Sequence, residues 1–450
     1  VTGIFEAYDI RGMVPDQIDE AIAAKVGYSF GHFLGKDRLV VGHDMRLSSP
    51  ALNEAFVRGA AASGVETADI GLATTPMLYT AIIDGGFDGG AMITASHLAA
   101  KYNGFKLCRE KAIPLSGESG LPEVEAIFRQ LRDAPGRPQV KPHDLVFLEK
   151  YLQKLVPLVE HPARVRVVVD AGNGMGGLDT PWLFERFPIY EFVPMYMQPN
   201  GEFPNHVPNP TIPENTADLQ RRVSVEKATM GIAFDGDCDR CGFVDEAGER
   251  VPADLIIAVL AEYFLRKNPG ATILYDLRSS RSVSERIHEL GGHPVKTRVG
   301  HSFIKEKMRE TGAVFAGELS GHYYYRDIGF IDSGIVSMIS MLNLLALKEV
   351  PLSELFRPLQ KYAQSGEINL HVQDASSVFT ELEATFKDGR QEHLDGLSIE
   401  YDDWWFNLRR SNTEPVVRLV IEADDASILK TQQARLLEII GRHAGVAEAG

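Results

Sequence analysis

Residues 164–170 read RVRVVVD. A short unbroken run of β-branched residues is the pattern of a strand buried on both faces, as in a parallel sheet. The run stops at a carboxylate, then enters a Gly-rich loop and a helical stretch around Leu183. The same order recurs on both sides. RLVVGHD (38–44) leads through a Ser/Pro loop into the helical pattern ALNEAFVRGAAASG and a second strand at VETADIG. ATILYD (271–276) leads into SVSERIHELGG and a strand near PVKTRVG. Strands alternating with helices predict βαβ units. Three such blocks, spaced by about a hundred residues, predict three similar α/β domains with mixed or parallel sheets.

The end of the chain follows another pattern. EINLHV, LSIEY, WWFNLRR and VVRLVIEA read as strands separated by turns. They are followed by DASILKTQQARLLEIIGRHAG, a helix with Leu429, Leu436 and Ile440 on one face. Strands grouped beside helices predict a smaller α+β domain. The polar, Gly-containing QSGE at 364–367 suits a hinge between it and the rest. The expected domains are 1–144, 145–248, 249–362 and 363–450. The most apolar stretch, 335–347, contains Ser337, Ser340 and Asn343 and falls short of the roughly 18 apolar residues of a membrane span. It reads as a buried core helix.

The chain has 450 residues, too many for one hydrophobic core. A hydrophobic share of 44% and a charged share of 24% exclude disorder, collagen and coiled coil as the main architecture. Lys plus Arg is 46 and Asp plus Glu is 62, a net charge of −16. Such a chain repels nucleic acid and anionic membrane unless a local basic patch overrides its field. Three cysteines, Cys108, Cys238 and Cys241, build no disulfide framework, so a reducing cytoplasm is expected. The opening VTGIFEAYDIRG lacks a basic start and apolar run, so no signal peptide is read there.

Four motifs carry chemistry. FDGDCDR (234–240) follows the apolar run MGIAF and alternates Asp235, Asp237 and Asp239. Three carboxylates on one loop repel unless a cation joins them, and hard oxygens suit Mg²⁺ or Ca²⁺. Glu246 falls at the twelfth position of an EF-hand frame, but Arg240 stands where the sixth position demands Gly, and a strand precedes the loop. The remaining alternative is a solvated acidic turn. In ITASHLAAKYNGFK (93–106), a β run ends at Ser96, which is either a nucleophile or phosphate carrier or a helix cap. No G-x-S-x-G elbow surrounds it. GELSGHYYY (317–325) frames Glu318, Ser320 and His322 between glycines, either to read sugar hydroxyls or as a polar hairpin turn. LRRSNTEPVVR (408–418) gathers Arg409, Ser411, Asn412 and Thr413 into an anion nest or a solvated basic turn. In DAGNGMGG (170–177), Gly172, Gly174 and Gly177 match the dinucleotide fingerprint. Asp170 just before them would repel a pyrophosphate, so they read as turn and packing glycines. Cys238 and Cys241 form a C-x-x-C pair, but no second pair completes a zinc site.

In order along the chain, YDIRG (8–12), VGHDMRLSSP (41–50), TASH, YNGFK, DAGNGMGG, DGDCDR, VGHSFIK (299–305), GELSGH and RRSNTEP closely resemble the α-D-phosphohexomutases, specifically the phosphomannomutase/phosphoglucomutase group. The resemblance spans nearly the whole chain. It implies a heart-shaped enzyme of four domains, each giving one loop to a central cleft. It makes Ser96 a phosphoserine, with Asp235, Asp237 and Asp239 holding Mg²⁺ beside it. Glu318 and Ser320 would read the sugar. Arg409, Ser411, Asn412 and Thr413 would grip the phosphate that is not transferred. Lys106, His301 and His322 match positions that handle protons or orient the reacting hydroxyl, and Tyr8, Arg11, Arg240 and Arg278 match cleft positions. Many members have Asn-Pro where Leu98 and Ala99 stand, and a small residue where Cys238 stands.

The implied reaction moves a phosphoryl group between O1 and O6 of a hexose phosphate through phospho-Ser96 and a bisphosphorylated sugar. Glucose or mannose phosphates are the implied partners, glucose 1,6-bisphosphate or mannose 1,6-bisphosphate the activator, and a monomer or weak dimer the assembly. The rivals are a phosphoglucosamine mutase, a metal-dependent sugar phosphatase, a sugar-phosphate-binding protein without turnover and a nucleotide oxidoreductase built on the glycine motif.

Overall fold

The run RVRVVVD forms the strand Arg166–Asp170, in which Val167, Val168, Val169 and Asp170 are fully buried. In this computed structural model, residues 3–35, 38–133, 143–144, 146–410 and 416–443 are described. Arg166–Asp170 lies between Glu191–Met195 and Met230–Phe234, parallel to both, and Cys241–Val244 adds an antiparallel strand beyond Met230–Phe234. Two other sheets repeat this plan. Arg38–His43 lies between Glu66–Leu72 and Gly89–Ile93, with Tyr102–Arg109 antiparallel beyond the latter. Thr272–Asp276 lies between His293–Thr297 and Phe315–Gly317, with Tyr323–Tyr325 antiparallel beyond. Each unit thus runs first strand central, second to one side, third to the other, and fourth back against the third.

This topology places the motifs. The Ser96 loop, the aspartate loop and the Glu318 loop each join the third strand of a unit to the fourth. Three motifs with no sequence likeness therefore occupy one structural position. The carboxylate that ends each first strand is also shared. Asp44, Asp170 and Asp276 are fully buried. Each accepts the backbone N–H two residues on, at 3.0, 2.8 and 2.8 Å, which turns the chain sharply away from the sheet. Each also has a basic partner, Arg46, His206 and Arg278 respectively. Buried carboxylates need such pairing, because an isolated buried charge is strongly disfavoured.

The fourth sheet is antiparallel, with Trp404–Arg410 between Leu397–Glu400 and Val417–Ala423. Helices Ala375–Thr385 and Ala426–Gly441 share its core through Val378, Leu382, Leu436 and Ile440. The apolar stretch at 335–347 forms the helix Gly334–Lys348, buried from Gly334 to Leu345 within a core that also takes in residues of the first two units. No single helix among the described residues is long and apolar enough to cross a membrane.

Two expectations meet specific outcomes. The glycines of DAGNGMGG serve close packing, since a Cβ on Gly177 would sit 1.7 Å from the Met197 carbonyl oxygen. The 364–367 segment, expected as a hinge, is bonded to the third unit and to the fourth. Gln364 lies in the strand Ala363–Gln364 and donates to Asp254 and Glu422. Ser365 exchanges hydrogen bonds with Ile421. Glu367 joins Arg278 of the third unit to Arg409 and Arg418 of the fourth. Its polar side chains therefore make cross-domain bonds.

One buried carboxyl is left over. Asp179, inside the helix Gly176–Arg186, is fully buried and its oxygens have no hydrogen-bond partner. Burial pushes its pKa up to about 7, and the nearby Thr74 and Tyr151 hydroxyls, not aligned for a hydrogen bond, offset only part of this. Between the ordinary carboxyl range and about 7, the folded state holds a proton that the unfolded chain releases. Stability from this group therefore falls as pH rises through that window and stays lower above it. Asp179→Asn is expected to match the parent in stability at pH 4 and exceed it at pH 8, by up to about 4 kcal/mol at about 1.4 per pKa unit. Melting temperatures at the two pH values check this; an Asn variant no more stable at pH 8 would refute it.

Candidate active site

The floor of the site is built where the Ser96 and aspartate loops touch. A Cβ on Gly236 would lie 2.3 Å from the Ser96 carbonyl oxygen, so only glycine permits this approach. Ser96 is fully buried, sits at φ +48, and donates from Oγ to Asp235 Oδ2 at 2.8 Å. His97 Nδ1 lies 3.2 Å from Ser96 Oγ. Cys238 also adopts a left-handed backbone, at φ +65, and is fully buried. Burial holds the Cys238 and Cys241 thiols well above their usual pKa, and both are free, so the C-x-x-C pair is neither a disulfide nor a thiolate site.

Asp235, Asp237 and Asp239 are all buried, and one oxygen from each lies within 4.8 Å of the others. Burial and the two neighbouring carboxylates drive the Asp235 pKa well up. Asp239 goes the other way: Lys106 and His322 outweigh the effect of burial and hold it ionised. Lys106 Nζ donates to Asp237 Oδ2 at 2.7 Å and to Asp239. Thr75, at the start of the helix Thr75–Gly85, donates to Asp237 from its hydroxyl at 2.6 Å. Asp237 Oδ1 and Asp239 Oδ1 nevertheless have no hydrogen-bond partner. Buried orphan carboxylate oxygens beside a third carboxylate are the donor set a hard divalent cation needs, so the residues fit a metal ion.

Lys106 lies beneath the cleft rather than on its wall. It is buried, and although burial alone would lower its pKa, Asp237 and Asp239 hold it protonated. Above it opens a cavity of about 490 Å³ lined by all four domains. Its basic wall carries Arg11, Arg240, Arg278, Arg409 and Arg418; Tyr8, His97, His301, Glu318, Ser320 and His322 also line it, as do the carboxylates Glu6 and Asp9. The −16 of the whole chain is a poor guide to this surface. Arg240 donates its backbone N–H to Asp235 at 3.1 Å, and its Nε lies 3.1 Å from His322 Nε2. Arg11 pairs with Asp9 at 2.6 Å, and Arg278 with Asp276 at 2.6 Å.

The third loop forms a compact unit. His322 Nδ1 lies 2.6 Å from Glu318 Oε1 and 2.9 Å from Ser320 Oγ. The Tyr324 hydroxyl donates to Glu318 Oε1 at 2.7 Å. Burial and Arg240 push the His322 pKa down, and Asp239 with Glu318 outweighs both, leaving it at about 9. His301 is the opposite case. Burial and Lys305 push its pKa well down, so it is neutral, and its Nδ1 has no hydrogen-bond partner. Tyr8 reaches across from the first unit, donating to the Val299 carbonyl at 3.0 Å with its ring against His301.

The structure thus brings Ser96, Lys106, the three aspartates, Arg240, Glu318, Ser320, His322, His301, Tyr8, Arg11, Arg278 and Arg409 to one place. Ser411, Asn412 and Thr413 lie outside the described residues. Arg46, Thr75, Glu367 and Arg418 also bear on the site, although the motif reading assigned them no role. Arg46 had a signal, because Asp44-Met45-Arg46 and Asp276-Leu277-Arg278 place an arginine at the same step after the first strand.

Known proteins resemble this chain along nearly its whole length. Family models of the phosphoglucomutase/phosphomannomutase α/β/α domains I, II and III match residues 2–134, 148–248 and 252–362, and the C-terminal domain model matches 367–439. The chain is 39% identical over 442 residues to a Xanthomonas campestris protein named phosphohexose mutases, covering 97% of this chain and 98% of that one. It is 38% identical over 450 residues to an Escherichia coli phosphomannomutase, again covering 97% and 98%. The crystal structure of a phosphoglucomutase/phosphomannomutase family protein from Burkholderia thailandensis superposes with a TM-score of 0.89 at 34% identity, covering 98% of both chains. The chain belongs to the phosphoglucomutase/phosphomannomutase family.

Proposed function

We propose that this enzyme moves a phosphoryl group reversibly between O1 and O6 of glucose or mannose phosphates, with Ser96 as the carrier. The observation that carries the reading is Ser96 Oγ, 2.8 Å from one carboxylate of a buried aspartate triad, at the floor of an arginine-lined cavity sized for a small ligand. Phosphoryl transfer asks a protein for positioning and charge neutralisation more than for covalent chemistry. Asp235, Asp237 and Asp239 would hold Mg²⁺, which when bound supplies positive charge to the phosphoryl oxygens. Arg240 and the protonated Lys106 and His322 add fixed positive charge around Ser96. Neutral imidazoles are present at His97 and His301, so either is free to take a hydroxyl proton, whereas Lys106 as placed is not.

Glu318 and Ser320 are suited to read sugar hydroxyls, with Glu318 ionised and aimed by His322 and Tyr324. Arg278, Arg409 and Arg418, with Ser411, Asn412 and Thr413, would hold the phosphate that stays on the sugar. A bisphosphorylated sugar then turns end for end between two transfers, and glucose 1,6-bisphosphate or mannose 1,6-bisphosphate would prime the serine. Glu367 lies between those three arginines, so the departing and arriving phosphate exchanges with a resident carboxylate.

The test is a coupled assay of glucose 1-phosphate, mannose 1-phosphate and glucosamine 1-phosphate, primed with glucose 1,6-bisphosphate. Turnover of the glucose and mannose esters, with the glucosamine ester slower by tenfold or more, is expected. Release of inorganic phosphate in place of isomerised sugar would replace the mutase reading with a phosphatase.

A further inference from the structure

VGHDMRLSSP contributes no residue to the cavity wall, yet its arginine is the most fully used cation in the molecule's first domain. The Arg46 side chain is completely buried. Its Nη1 donates to the carbonyls of Ala99 and Tyr102, both at 2.9 Å. Its Nη2 donates to the carbonyls of Ser96 at 2.9 Å and Leu98 at 2.6 Å. Its Nε donates to Asp44 Oδ2 at 3.1 Å. A guanidinium has five N–H donors in a rigid planar fork, and all five are engaged.

Four of the five acceptors are main-chain oxygens of one segment, 96–102. That segment needs an outside hold. Ser96 is in a left-handed conformation that serine adopts only under constraint, and His97, Leu98 and Ala99 are only partly buried, so packing alone does not fix the loop. The hold is itself braced. Asp44 takes a hydrogen bond from Ser49 Oγ at 2.6 Å and from the Arg46 backbone, and its own N–H reaches the Ile93 carbonyl. The ring of Phe203, from the second unit, lies 5.1 Å from the guanidinium. The domain that carries the aspartates thus closes over the group that shapes the serine loop.

We infer that Arg46 is the positioning residue for the phosphoryl carrier: it sets the shape of the 96–102 loop through main-chain oxygens and so aims Ser96 at the aspartates and the sugar. This rests on Ser96 being the carrier. It also accounts for Leu98 and Ala99, since a loop held by its carbonyls tolerates different side chains there. Lysine keeps the charge and the partnership with Asp44, but one ammonium cannot span four carbonyls.

Arg46→Lys is therefore expected to fold, to keep KM for the sugar 1-phosphate within about threefold, and to lose about 100-fold in kcat, the scale of an ångström's misplacement of a reacting group. Its phosphoserine should also lose phosphate to water more often per turnover. A folded Arg46→Lys with kcat within about threefold of the parent overturns the inference, and so does a fall in kcat matched by an equal rise in KM. Ser96→Ala in parallel separates the two claims. Activity retained there sinks the carrier, whereas activity lost there but kept in Arg46→Lys sinks only the clamp. Should Arg46→Lys not fold, hydrogen exchange on the parent decides. The Leu98 and Tyr102 amides, bonded to Ala95 and Ala99, should exchange as slowly as the Phe105 and Leu107 amides inside the strand Tyr102–Arg109. Exchange at the rate of an open loop overturns the inference.

Discussion

Ser96→Ala is expected to abolish mutase turnover, a loss on the order of 10⁴-fold or more, the scale of deleting a nucleophile. The expectation follows from what surrounds the hydroxyl. Thr94 Oγ1 is occupied by the Ser96 backbone N–H, and the Thr75 hydroxyl is bound to Asp237, so neither neighbour is placed to substitute. The variant should fold, because alanine removes one buried oxygen and leaves the four carbonyl bonds to Arg46 intact. Intact mass supplies a second reading. The parent should carry one phosphoryl group that excess sugar monophosphate removes, and Ser96→Ala should carry none. Full activity in a homogeneous Ser96→Ala preparation would end the carrier assignment.

The second large effect is expected from removing the cation. Three buried carboxylates face Lys106 and Arg240, and two of their oxygens accept no hydrogen bond from the protein. A divalent ion acting as a Lewis acid is worth several kcal/mol, and about 4 kcal/mol is about a thousandfold in rate. Chelation should therefore cut turnover by about a thousandfold, and Mg²⁺ should restore it. A readout independent of activity is thermal. An ion held by the folded triad stabilises it, so Mg²⁺ should raise the melting temperature of the parent, and raise that of Asp237→Asn by much less. Turnover that survives exhaustive chelation, together with no thermal response to Mg²⁺, would refute the metal site.

Much of the fold was legible because its signal is local. RLVVGHD, RVRVVVD and ATILYD announce buried strands through their own side chains, and each closes on a carboxylate that bends the chain two residues later. The Ser96, aspartate and Glu318 motifs were legible as chemistry for the same reason, since clustered carboxylates or a serine in a tight turn carry their meaning at short range. Composition gave no sign that the 364–367 segment, expected as a hinge, is bonded across two domains. Nor did it show that the charge of Lys106 goes to Asp237 and Asp239 beneath the cavity.

By itself, then, the sequence determined the repeated strand–helix units, the smaller α+β end domain and the candidates for the reactive groups. All of these rest on the periodicity and chemistry of neighbouring residues. Only the tertiary structure decided that three unlike motifs share one position in three copies of a unit, that they converge on one cavity, and that Arg46 shapes the serine loop. Convergence is set by how the domains pack. A guanidinium bound to main-chain oxygens leaves no trace in the residue types it binds, because every residue carries a carbonyl.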